Sequence, residues 1–446
     1  MITRAYPTDL SSVPTFSVVM AAYNRGRHIL PSIRSVLAQS LQDFELLVIG
    51  DACTDDTAET VASVGSPKIK WFNLPERGGS QSFPNNEGIA RAVGRHIAYL
   101  GHDDVWAPNH LSALAECFES DPTADFAVSG TIYHGPRASS FRLVTGIFDD
   151  SRAASEHFFP PSSLAHKVDV VDRIGKWRAP ADIVPPVDAE FQLRAAGAGM
   201  RFASTQRMTV HKFAAGHRYL YYLKQASDEQ ARMLRRMSSP GYAGYVASEL
   251  AKSKASGTFM TARFPSFDNY SKGQLAELNG RNRGVVRPEL KPLLGPEIIR
   301  QDNHTRALDW LPNAGDGEWI RWVGCNPRPK LLVPFKASEP VAVRLSLWHR
   351  DPEALKSLRL SVDGVPTETR IGRLRRRGNL WRAKASFEAQ LKPNDYTVLE
   401  LRLNKLQRPT AQRPGLGVAK IEIAPSRWSG LLGRLAGLVA SIGTAR

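Results

Sequence analysis

The sequence predicts an α/β fold for the first half of the chain, then a helical and irregular connector, then an all-β domain. Three observations support this. Short apolar runs alternate with helical patterns from Phe16 to Asp104. Beyond about residue 225 the pattern changes to two exposed helices and then to residues 262–300, which are rich in Pro, Gly and Arg. Short alternating runs separated by turn residues begin near residue 305. A chain of 446 residues also exceeds the size at which single hydrophobic cores stop growing.

The alternation begins with FSVVMAA, an apolar run of strand length. The next segment is predicted as a helix because five apolar residues share one face: Ile29, Ile33, Val36, Leu37 and Leu41. The remaining elements alternate in the same way: strand FELLVIG, helix DDTAETVASV, strand IKWFNL, helix NNEGIARAVG and strand HIAYLG. Repeated βα units predict a Rossmann-like, mostly parallel sheet with helices on both faces.

Three of the predicted strands end in polar residues: AAYNRG, GDACTDD and GHDDVW. Ligands of open α/β sheets bind beyond the carboxyl ends of the strands. No G-x-G-x-x-G follows the first strand, which argues against the dinucleotide-binding fingerprint. A carboxylate can instead accept hydrogen bonds from a base or ribose, or hold a divalent cation that binds phosphate.

The second half of the chain divides into three predicted segments. Residues 226–304 are the connector, 305–424 a β-sandwich of jelly-roll type, and 425–446 an amphipathic helix. The apolar stripe and arginines of the terminal helix fit an anionic membrane surface, and docking on its own domain is the alternative.

The net charge of +16 suits an anionic partner such as a nucleotide, a nucleic acid or an acidic membrane surface. Cys53, Cys117 and Cys325 are odd in number and far apart, which fits neither a disulfide framework nor a zinc site. No apolar stretch approaches the roughly 20 residues of a spanning helix, and the N-terminus lacks an apolar leader. We therefore expect a cytoplasmic protein, with peripheral binding to the inner face of the membrane as a further expectation.

Three segments together resemble the family 2 glycosyltransferases: FSVVMAAYNRGRHILPSIRSVLAQSLQDFELLVIGDACTDDT, GRHIAYLGHDDVWAPNHL and VDAEFQLRAAGAG. This family comprises inverting enzymes of the GT-A fold that use nucleotide-sugar donors. The resemblance implies that residues 1–225 form a GT-A catalytic domain that binds the nucleotide-sugar. The predicted sandwich is similar to the jelly-roll appendage of bacterial members.

The resemblance places Ala22, Tyr23 and Asn24 where the family packs the donor's base. It places Asp51 at the carboxylate that binds uracil or ribose, although Gly50 stands where the family commonly has another aspartate. The alternative is that this segment caps the next helix through Asp51, Thr54 and Asp55. We favour the capping role for Thr54 and Asp55 and the ligand-binding role for Asp51.

GHDD resembles the D-x-D motif that binds a divalent cation, Mg²⁺ or Mn²⁺, in this family. Gly101 replaces the first aspartate and Asp103 matches the second. Asp103 is therefore the expected ligand, with Asp104 supporting the site. His102 is a candidate nitrogen ligand, and a polar turn residue is its alternative role.

Two more residues match positions near the donor's phosphates in the family. Asn85 stands where an arginine often binds the diphosphate, so Arg77 or Arg91 is expected to supply the missing charge. His211 matches a histidine near the phosphates, and a packed histidine is its alternative role.

VDAEFQLR resembles the family segment E-D-x-E-L-x-L-R, which places Asp188 at the catalytic base and Val187 where the family has glutamate. The alternative for Asp188 is a helix N-cap. Glu190 and Arg194 are expected to pair across one helical turn.

The resemblance implies a transferase that moves sugar to a glycan or glycolipid acceptor, in cell-surface polysaccharide or lipopolysaccharide assembly. A catalytically degenerate carbohydrate-binding protein is the alternative, because four motif positions depart from the family: Gly50, Asn85, Gly101 and Val187. Nucleic-acid binding rests on the net charge alone and is not expected.

Overall fold

The computed structural model describes residues 13–135, 142–213, 215, 218, 221, 226–264, 266–268, 270–283, 289–300, 307–308, 320–322, 329–402 and 415–431. These residues form two units. The first contains the described residues of 13–134, 142–213 and 226–279, and the second contains those of 280–431 together with 135, 215, 218 and 221.

The first unit contains nine strands: β1 Phe16–Ala22, β2 Phe44–Gly50, β3 Ile69–Asn73, β4 His96–Tyr99, β5 Val105–Trp106, β6 Phe126–His134, β7 Arg142–Thr145, β8 Leu164–Lys167 and β9 Phe202–Phe213. Its helices are α1 Leu30–Leu37, α2 Thr57–Ala62, α3 Ser82–Arg91, α4 His110–Ser120, α5 Ala153–Glu156, α6 Val170–Ile174, α7 Val187–Gly197, α8 Asp228–Met237 and α9 Tyr242–Ala255. Short 3₁₀ helices cover Gly26–Ile29, Pro161–Ser163 and Pro180–Asp182, and α10, Gln274–Arg283, ends this part of the chain.

These strands form one mixed sheet in the order β3-β2-β1-β4-β8-β6-β9-β5, with β7 paired to β6. Strands β1 to β4 are parallel, as the βα alternation predicts. Strand β8 runs antiparallel to β4 and β6, β9 is parallel to β6, and β5 and β7 are antiparallel to their partners. The predicted α/β, Rossmann-like fold is confirmed, and its parallel part is the segment that carries the βα repeat.

Alternate residues of β1 enter two separate cores. Val18 and Met20 pack with α1 and α4 on one face of the sheet, whereas Val19 packs with α3 and α7 on the other. Helices therefore cover both faces, as predicted. The pleat fixes the register, because a slip of one residue would exchange the two faces.

The second unit is rich in β-structure. Its strands are β10 Lys291–Pro292, β11 Glu297–Arg300, β12 Ala307–Leu308, β13 Arg321–Trp322, β14 Lys330–Val333, β15 Phe335–Lys336, β16 Val341–His349, β17 Arg359–Val362, β18 Val365–Thr367, β19 Arg370–Ile371, β20 Arg375–Arg377, β21 Leu380–Ala389, β22 Thr397–Arg402 and β23 Gly417–Pro425. A short helix, α11 Pro352–Lys356, and a 3₁₀ helix, Ser426–Leu431, accompany them.

Two antiparallel sheets of this unit share one core. The seven-stranded sheet has the order β11-β23-β16-β21-β19, with β13 on β23 and β20 on β21, and the five-stranded sheet has the order β12-β14-β22-β17-β18. Inward residues such as Leu345 and Ile421 of the first sheet meet Leu331 and Leu399 of the second. The predicted β-rich C-terminal region is confirmed, while the jelly-roll topology stays a prediction.

The first unit extends beyond residue 225, where the sequence pattern placed its end. Met233 of α8 packs on Val105 and Phe213, which holds this helix of the predicted connector against the sheet. Most of the predicted terminal helix, residues 432–446, lies outside the described residues. In the described part of the chain, no helix is both long and apolar enough to cross a membrane.

Candidate functional site

The loops after β1 and β2 are joined at the carboxyl edge of the sheet. The Asn24 Oδ1 accepts a hydrogen bond from the Thr54 backbone N–H at 2.8 Å, and the Asn24 amide donates to Thr54 Oγ1 at 3.2 Å. The backbone oxygen of Ala22 accepts from the Asp51 N–H at 2.8 Å. The three residues predicted at the donor's base therefore lie beside the predicted Asp51 loop.

Asp51 binds a second loop with its side chain. Its Oδ1 accepts from the Gly78 N–H at 2.7 Å and its Oδ2 from the Gly79 N–H at 2.8 Å, and only 5% of the residue is exposed. The N-cap position of α2 is Asp56. The helix-cap alternative for Asp51 is therefore wrong, and its carboxylate instead orders the loop that carries Arg77.

Arg77 lies beside the predicted base position. Its guanidinium stacks over the Tyr23 ring at 4.1 Å from the ring centroid. Arg91 instead pairs with Glu87 at 2.6 Å. Of the two arginines that the sequence offered, Arg77 is the one at this edge, whereas Asn85 is 3% exposed within α3.

Asp104 forms a buried ion pair with a residue that the sequence did not single out. Lys212 Nζ lies 2.9 Å from its Oδ2, Ser162 Oγ donates to the same oxygen at 2.6 Å, and the Phe213 N–H donates to Oδ1 at 3.1 Å. Burial lowers the pKa of Lys212, but the carboxylates of Asp104 and Asp103 more than offset burial, so the pKa lies above its ordinary value. The carboxylate of Asp104 is thus committed to holding β9 against the turn after β4.

Asp103 lies in the same turn, with 7% of its surface exposed. Its backbone oxygen accepts from the Gln230 amide of α8 at 2.8 Å. A Cβ on Gly101 would lie 3.2 Å from Asp103 Oδ1 and 3.2 Å from Asp104 Oδ2. An aspartate at position 101 would crowd a third carboxylate against these two, which explains the departure from the family motif.

His102 joins the turn to the end of β1. Its Nδ1 makes a hydrogen bond with the Ala21 backbone oxygen at 3.0 Å, so Nδ1 carries the proton and Nε2 the lone pair. Burial, with the nearby Arg25 guanidinium, lowers the pKa of His102 to about 4 and keeps the ring neutral at pH 7. The ring has an anchoring role, and metal ligation through Nε2 stays a prediction.

The side chains of this turn can hold a divalent cation only if a bound nucleotide also contributes oxygen ligands. Among the described residues, no group of three or more His, Cys, Asp and Glu side chains is placed to hold a metal ion. Asp104 is engaged by Lys212, whereas Asp103, the ligand expected from the sequence, lies in the same turn. Mg²⁺ is commonly held by one or two carboxylates together with substrate phosphates, so Asp103 and a bound diphosphate together satisfy its preference.

Asp188 lies in the first turn of α7, whose N-cap position is Pro186. Among the described residues, its Oδ1 accepts from the adjacent Ala189 N–H alone, at 3.0 Å. The N-cap alternative for Asp188 is therefore wrong. Val187, which stands where the family has glutamate, is buried in the core that also contains Phe191 of α7.

The predicted pair of Glu190 and Arg194 is present, with Arg194 Nε 2.8 Å from Glu190 Oε1. Arg194 also donates to the backbone oxygens of Gly175 and Lys176 at 3.0 and 2.9 Å. The pair therefore fastens α7 to the segment before it.

The pKa of the Tyr133 phenol depends on charges of both Asp188 and the turn after β4. Tyr133 lies opposite Lys212 in the β6–β9 register. Burial raises its pKa, Lys212 lowers it, and the carboxylates of Asp104 and Asp188 raise it, so all three charged groups act on this ring. Its hydroxyl is buried and has no hydrogen-bond partner among the described residues.

His211 is next to Lys212 but its ring is fully engaged elsewhere. Nδ1 lies 2.9 Å from His134 Nε2, and Nε2 lies 2.8 Å from the Tyr242 hydroxyl. Burial, with Arg236, lowers the pKa of His211 to about 3. A packed histidine matches this geometry, and contact with phosphates stays a prediction.

Sequence reasoning missed Lys212, Ser162 and Tyr133. One signal was available: Lys212 directly follows His211 and lies near the end of β9, a strand that reaches this edge. Ser162 and Tyr133 lie in segments without a polar motif, and only the tertiary structure brings them to Asp104 and Asp188.

Comparison with known proteins identifies the domain that holds this site. Residues 17–163 match the family model described as glycosyl transferase family 2. This segment, about a third of the chain, is therefore similar to the family 2 glycosyl transferases. Tyr23, Asp51 and Asp103 lie within the matched segment, whereas Asp188 and Lys212 follow it.

Curated relatives of this segment include proteins that are named as glycosyltransferases. An uncharacterized glycosyltransferase of Nostoc sp. is 29% identical over 187 residues, which are 37% of this chain and 56% of the relative. The succinoglycan biosynthesis protein ExoO of Rhizobium meliloti is 34% identical over 25% of this chain and 31% of its own length. TuaG of Bacillus subtilis, named for teichuronic acid biosynthesis, is 29% identical over 26% of this chain and 46% of its own length. This chain thus spans about half, or less, of these relatives.

Solved structures give a distant match. Staphylococcus aureus TarS 1–349 in complex with UDP-GlcNAc has a TM-score of 0.38 and 16% identity, over 45% of this chain and 58% of that chain. A mannosyltransferase of Pyrobaculum calidifontis in complex with GDP-Man and Mn²⁺ has a TM-score of 0.36 and 16% identity, over 56% of this chain and 78% of that chain.

Proposed function

We propose that the protein is an inverting, metal-dependent glycosyltransferase that moves a sugar from a nucleotide-sugar to a glycan or glycolipid. The observation that carries the proposal is that Asp51 and Asp103 follow β2 and β4, on either side of β1, within the segment that matches the family 2 model. The parallel strands β2, β1 and β4 are adjacent, and the His102 ring links the ends of β4 and β1. The carboxylates of Asp104 and Asp188 both raise the pKa of Tyr133, which supports a position of Asp188 near the same turn.

The nucleotide binds at the edge formed by the loops after β1 and β2. Tyr23 with Arg77 stacked on it offers a flat cationic surface for the base. Each oxygen of Asp51 already accepts one backbone N–H and has a second lone pair for a base or ribose donor. Residues 22–24 and 51 therefore position the nucleoside.

The diphosphate binds beside Asp103, which would hold Mg²⁺ or Mn²⁺ with the phosphate oxygens, with His102 as a further candidate ligand. When bound, the cation supplies positive charge that stabilises the leaving diphosphate. Lys212 keeps its charge at neutral pH and neutralises Asp104 at the same turn. The leaving group departs as an anion, so no protein acid has to protonate it.

Asp188 is the general base. Its carboxylate removes the proton from the acceptor hydroxyl as that oxygen attacks the anomeric carbon. The new carbon–oxygen bond forms opposite the bond to the diphosphate, which breaks, so the configuration inverts. The names of ExoO and TuaG support a polysaccharide or its lipid-linked precursor as acceptor.

Calorimetric titration with UDP, and with GDP in parallel, tests the nucleotide site. We expect one nucleotide to bind with Mn²⁺ present and to bind at least about tenfold more weakly in EDTA, because Asp103 alone binds the cation poorly. Asp103→Ala should reproduce the EDTA result, while the matched variant Asp150→Ala, at an exposed ion pair with Arg152, should bind like wild type. Equal affinity in EDTA and Mn²⁺ would reject the metal assignment.

A further inference from the structure

One face of the second unit is strongly basic. The outward side of the seven-stranded sheet carries a group of basic residues, six of which we name the cationic face: Arg344, Arg370, Arg375, Arg382, Lys384 and Lys420. Residues 369–387 contain seven basic residues and no acidic one. The charge of this part of the chain is therefore concentrated on β19, β20 and β21.

The strand register places these side chains on one surface. Ala383, Ala385 and Phe387 of β21 point into the core, so Arg382 and Lys384 point outward. Arg375 is directly opposite Arg382. In the same way Arg370 and Arg344 are opposite Ser386, and Lys384 and Lys420 are opposite Ser346.

Two acidic residues on the same side, Glu388 and Glu422, are too few to balance the charge of the six basic residues. Glu422, 2% exposed, lies 3.0 Å from Lys420, 3.6 Å from Lys384 and 3.8 Å from Arg344, so a single carboxylate is shared by three cations. Among the described residues, Arg370, Arg375 and Arg382 have no ion-pair partner, and all three are exposed. Two like charges directly opposite each other destabilise a sheet, and a bound anion would remove the repulsion between Arg375 and Arg382.

The chemistry of the face indicates an extended polyanion. Guanidinium groups bind carboxylates and phosphates through paired hydrogen bonds. Their spacing follows the sheet, about 5 Å between strands and about 7 Å between outward residues of one strand, which suits a polymer with repeated charges. None of the large apolar side chains that the described residues expose lies between residues 370 and 389, so the face offers nothing to insert into a bilayer.

We propose that the cationic face binds an acidic polysaccharide, a glycan chain that carries a carboxylate or phosphate group on its repeating unit. The choice of a glycan among polyanions rests on the proposed transferase function. The face lies in the second unit and has no residue in common with the nucleotide site, so it would hold the polymer independently of the sugar donor.

Binding is measured on the full chain without nucleotide, with labelled polygalacturonate as the probe. Neutral dextran, vesicles containing phosphatidylglycerol and a DNA duplex are the comparison ligands, all at about 0.1 M salt, where charges separated by more than about 10 Å are screened. We expect polygalacturonate to bind more tightly than all three. The triple variant Arg370→Gln, Arg375→Gln, Arg382→Gln should lose at least about tenfold in affinity, since direct charge contacts are removed.

The five-stranded sheet offers a matched control. Arg359 and Arg402 are also a cross-strand pair and are exposed, and Lys356 lies nearby in α11. The triple variant Lys356→Gln, Arg359→Gln, Arg402→Gln has the same net charge as the face variant. It should keep wild-type affinity for polygalacturonate within about twofold, because it changes the net charge of the protein but removes no charge from the cationic face.

Three results would overturn the proposal: no binding of polygalacturonate by the wild type, equal losses in the two triple variants, or binding to vesicles or duplex at least as tight as to polygalacturonate. The last result would assign the face to a membrane or to nucleic acid. UDP binding with Mn²⁺ is measured on the same preparations, so failure of the nucleotide site and failure of the face are seen separately.

Discussion

At the scale of single residues, the buried pair of Asp104 and Lys212 organises the candidate site. Asp104 has no exposed surface and receives three hydrogen bonds, one of them from the Lys212 ammonium. A buried ion pair is roughly neutral for stability, but loss of one partner leaves an uncompensated buried charge. The pair therefore specifies how β9 meets the turn after β4.

We predict that Lys212→Met lowers the free energy of unfolding by about 3 kcal/mol, because Asp104 loses its counter-charge. Asp104→Asn combined with Lys212→Met should recover most of this loss, because no charge remains buried. Denaturant unfolding of the two single variants and the double variant measures the coupling. Additive losses in the double variant would mean that the pair does not interact energetically.

Sequence reasoning found the paired aspartates but assigned Asp104 only a supporting role at a metal. Asp51 and Asp103 could be placed because each follows an apolar strand directly. The partner of Asp104 could not be predicted, since Lys212 is 108 residues away along the chain and no local pattern relates the two. The same holds for Gly78 and Gly79, whose backbone, not their side chains, binds Asp51.

At the scale of elements, strands β1 and β2 are each followed, two residues later, by a residue with left-handed backbone. Asn24 has φ of 43° and Ala52 has φ of 53°. Asparagine tolerates this region, but alanine does not adopt it without cost. The chain therefore keeps a strained residue directly after Asp51, where the two loops meet.

Ala52→Gly should raise the free energy of unfolding by about 0.5 kcal/mol, because relief of the left-handed strain outweighs the greater freedom of glycine in the unfolded chain. Gly65 is the matched control. It has φ of 66° and open space around its Cα, so Gly65→Ala should be destabilising through the backbone alone. Thermal unfolding of both variants checks the signs, and a destabilising Ala52→Gly would refute this account of the strand end.

The elements with a βα repeat could be predicted from the sequence, and those without it could not. Strands β1 to β4 and the helices between them match the predicted segments closely. Strand β9 contains FASTQRMTVHKF, which lacks a sustained apolar alternation, and it joins the sheet through pairing with the distant β6. Local patterns carry no information on such pairing, so the part of the sheet beyond β4 was not foreseen.

At the scale of the whole molecule, buried neutral histidines couple stability to pH. Burial lowers the pKa of His110 and His211 to about 3 and that of His96 and His166 to about 4. In the unfolded chain these rings take up protons near pH 6.5. Between those values the unfolded state binds more protons, so stability falls as the pH falls.

We predict that the melting temperature is highest above pH 6.5 and falls steeply towards pH 5. Each of the four rings should cost about 2 kcal/mol at pH 5, because its folded pKa lies below that pH and its unfolded pKa above it. Thermal unfolding in buffers from pH 8 to pH 5 at constant ionic strength measures the effect. A melting temperature independent of pH over this range would show that these rings are not buried in the folded protein.

The central claim is that Asp188 is the base of a glycosyl transfer, and Asp188→Asn tests it most directly. The amide keeps the shape of the side chain but cannot take the acceptor's proton, so transfer to the true acceptor should fall at least about 10²-fold. Nucleotide affinity and melting temperature should stay at wild-type values, because among the described residues Asp188 accepts from Ala189 alone, and it does not cap α7. Asp182→Asn, at an exposed aspartate just before α7, is the control and should transfer normally. Full transfer activity in Asp188→Asn would contradict the account.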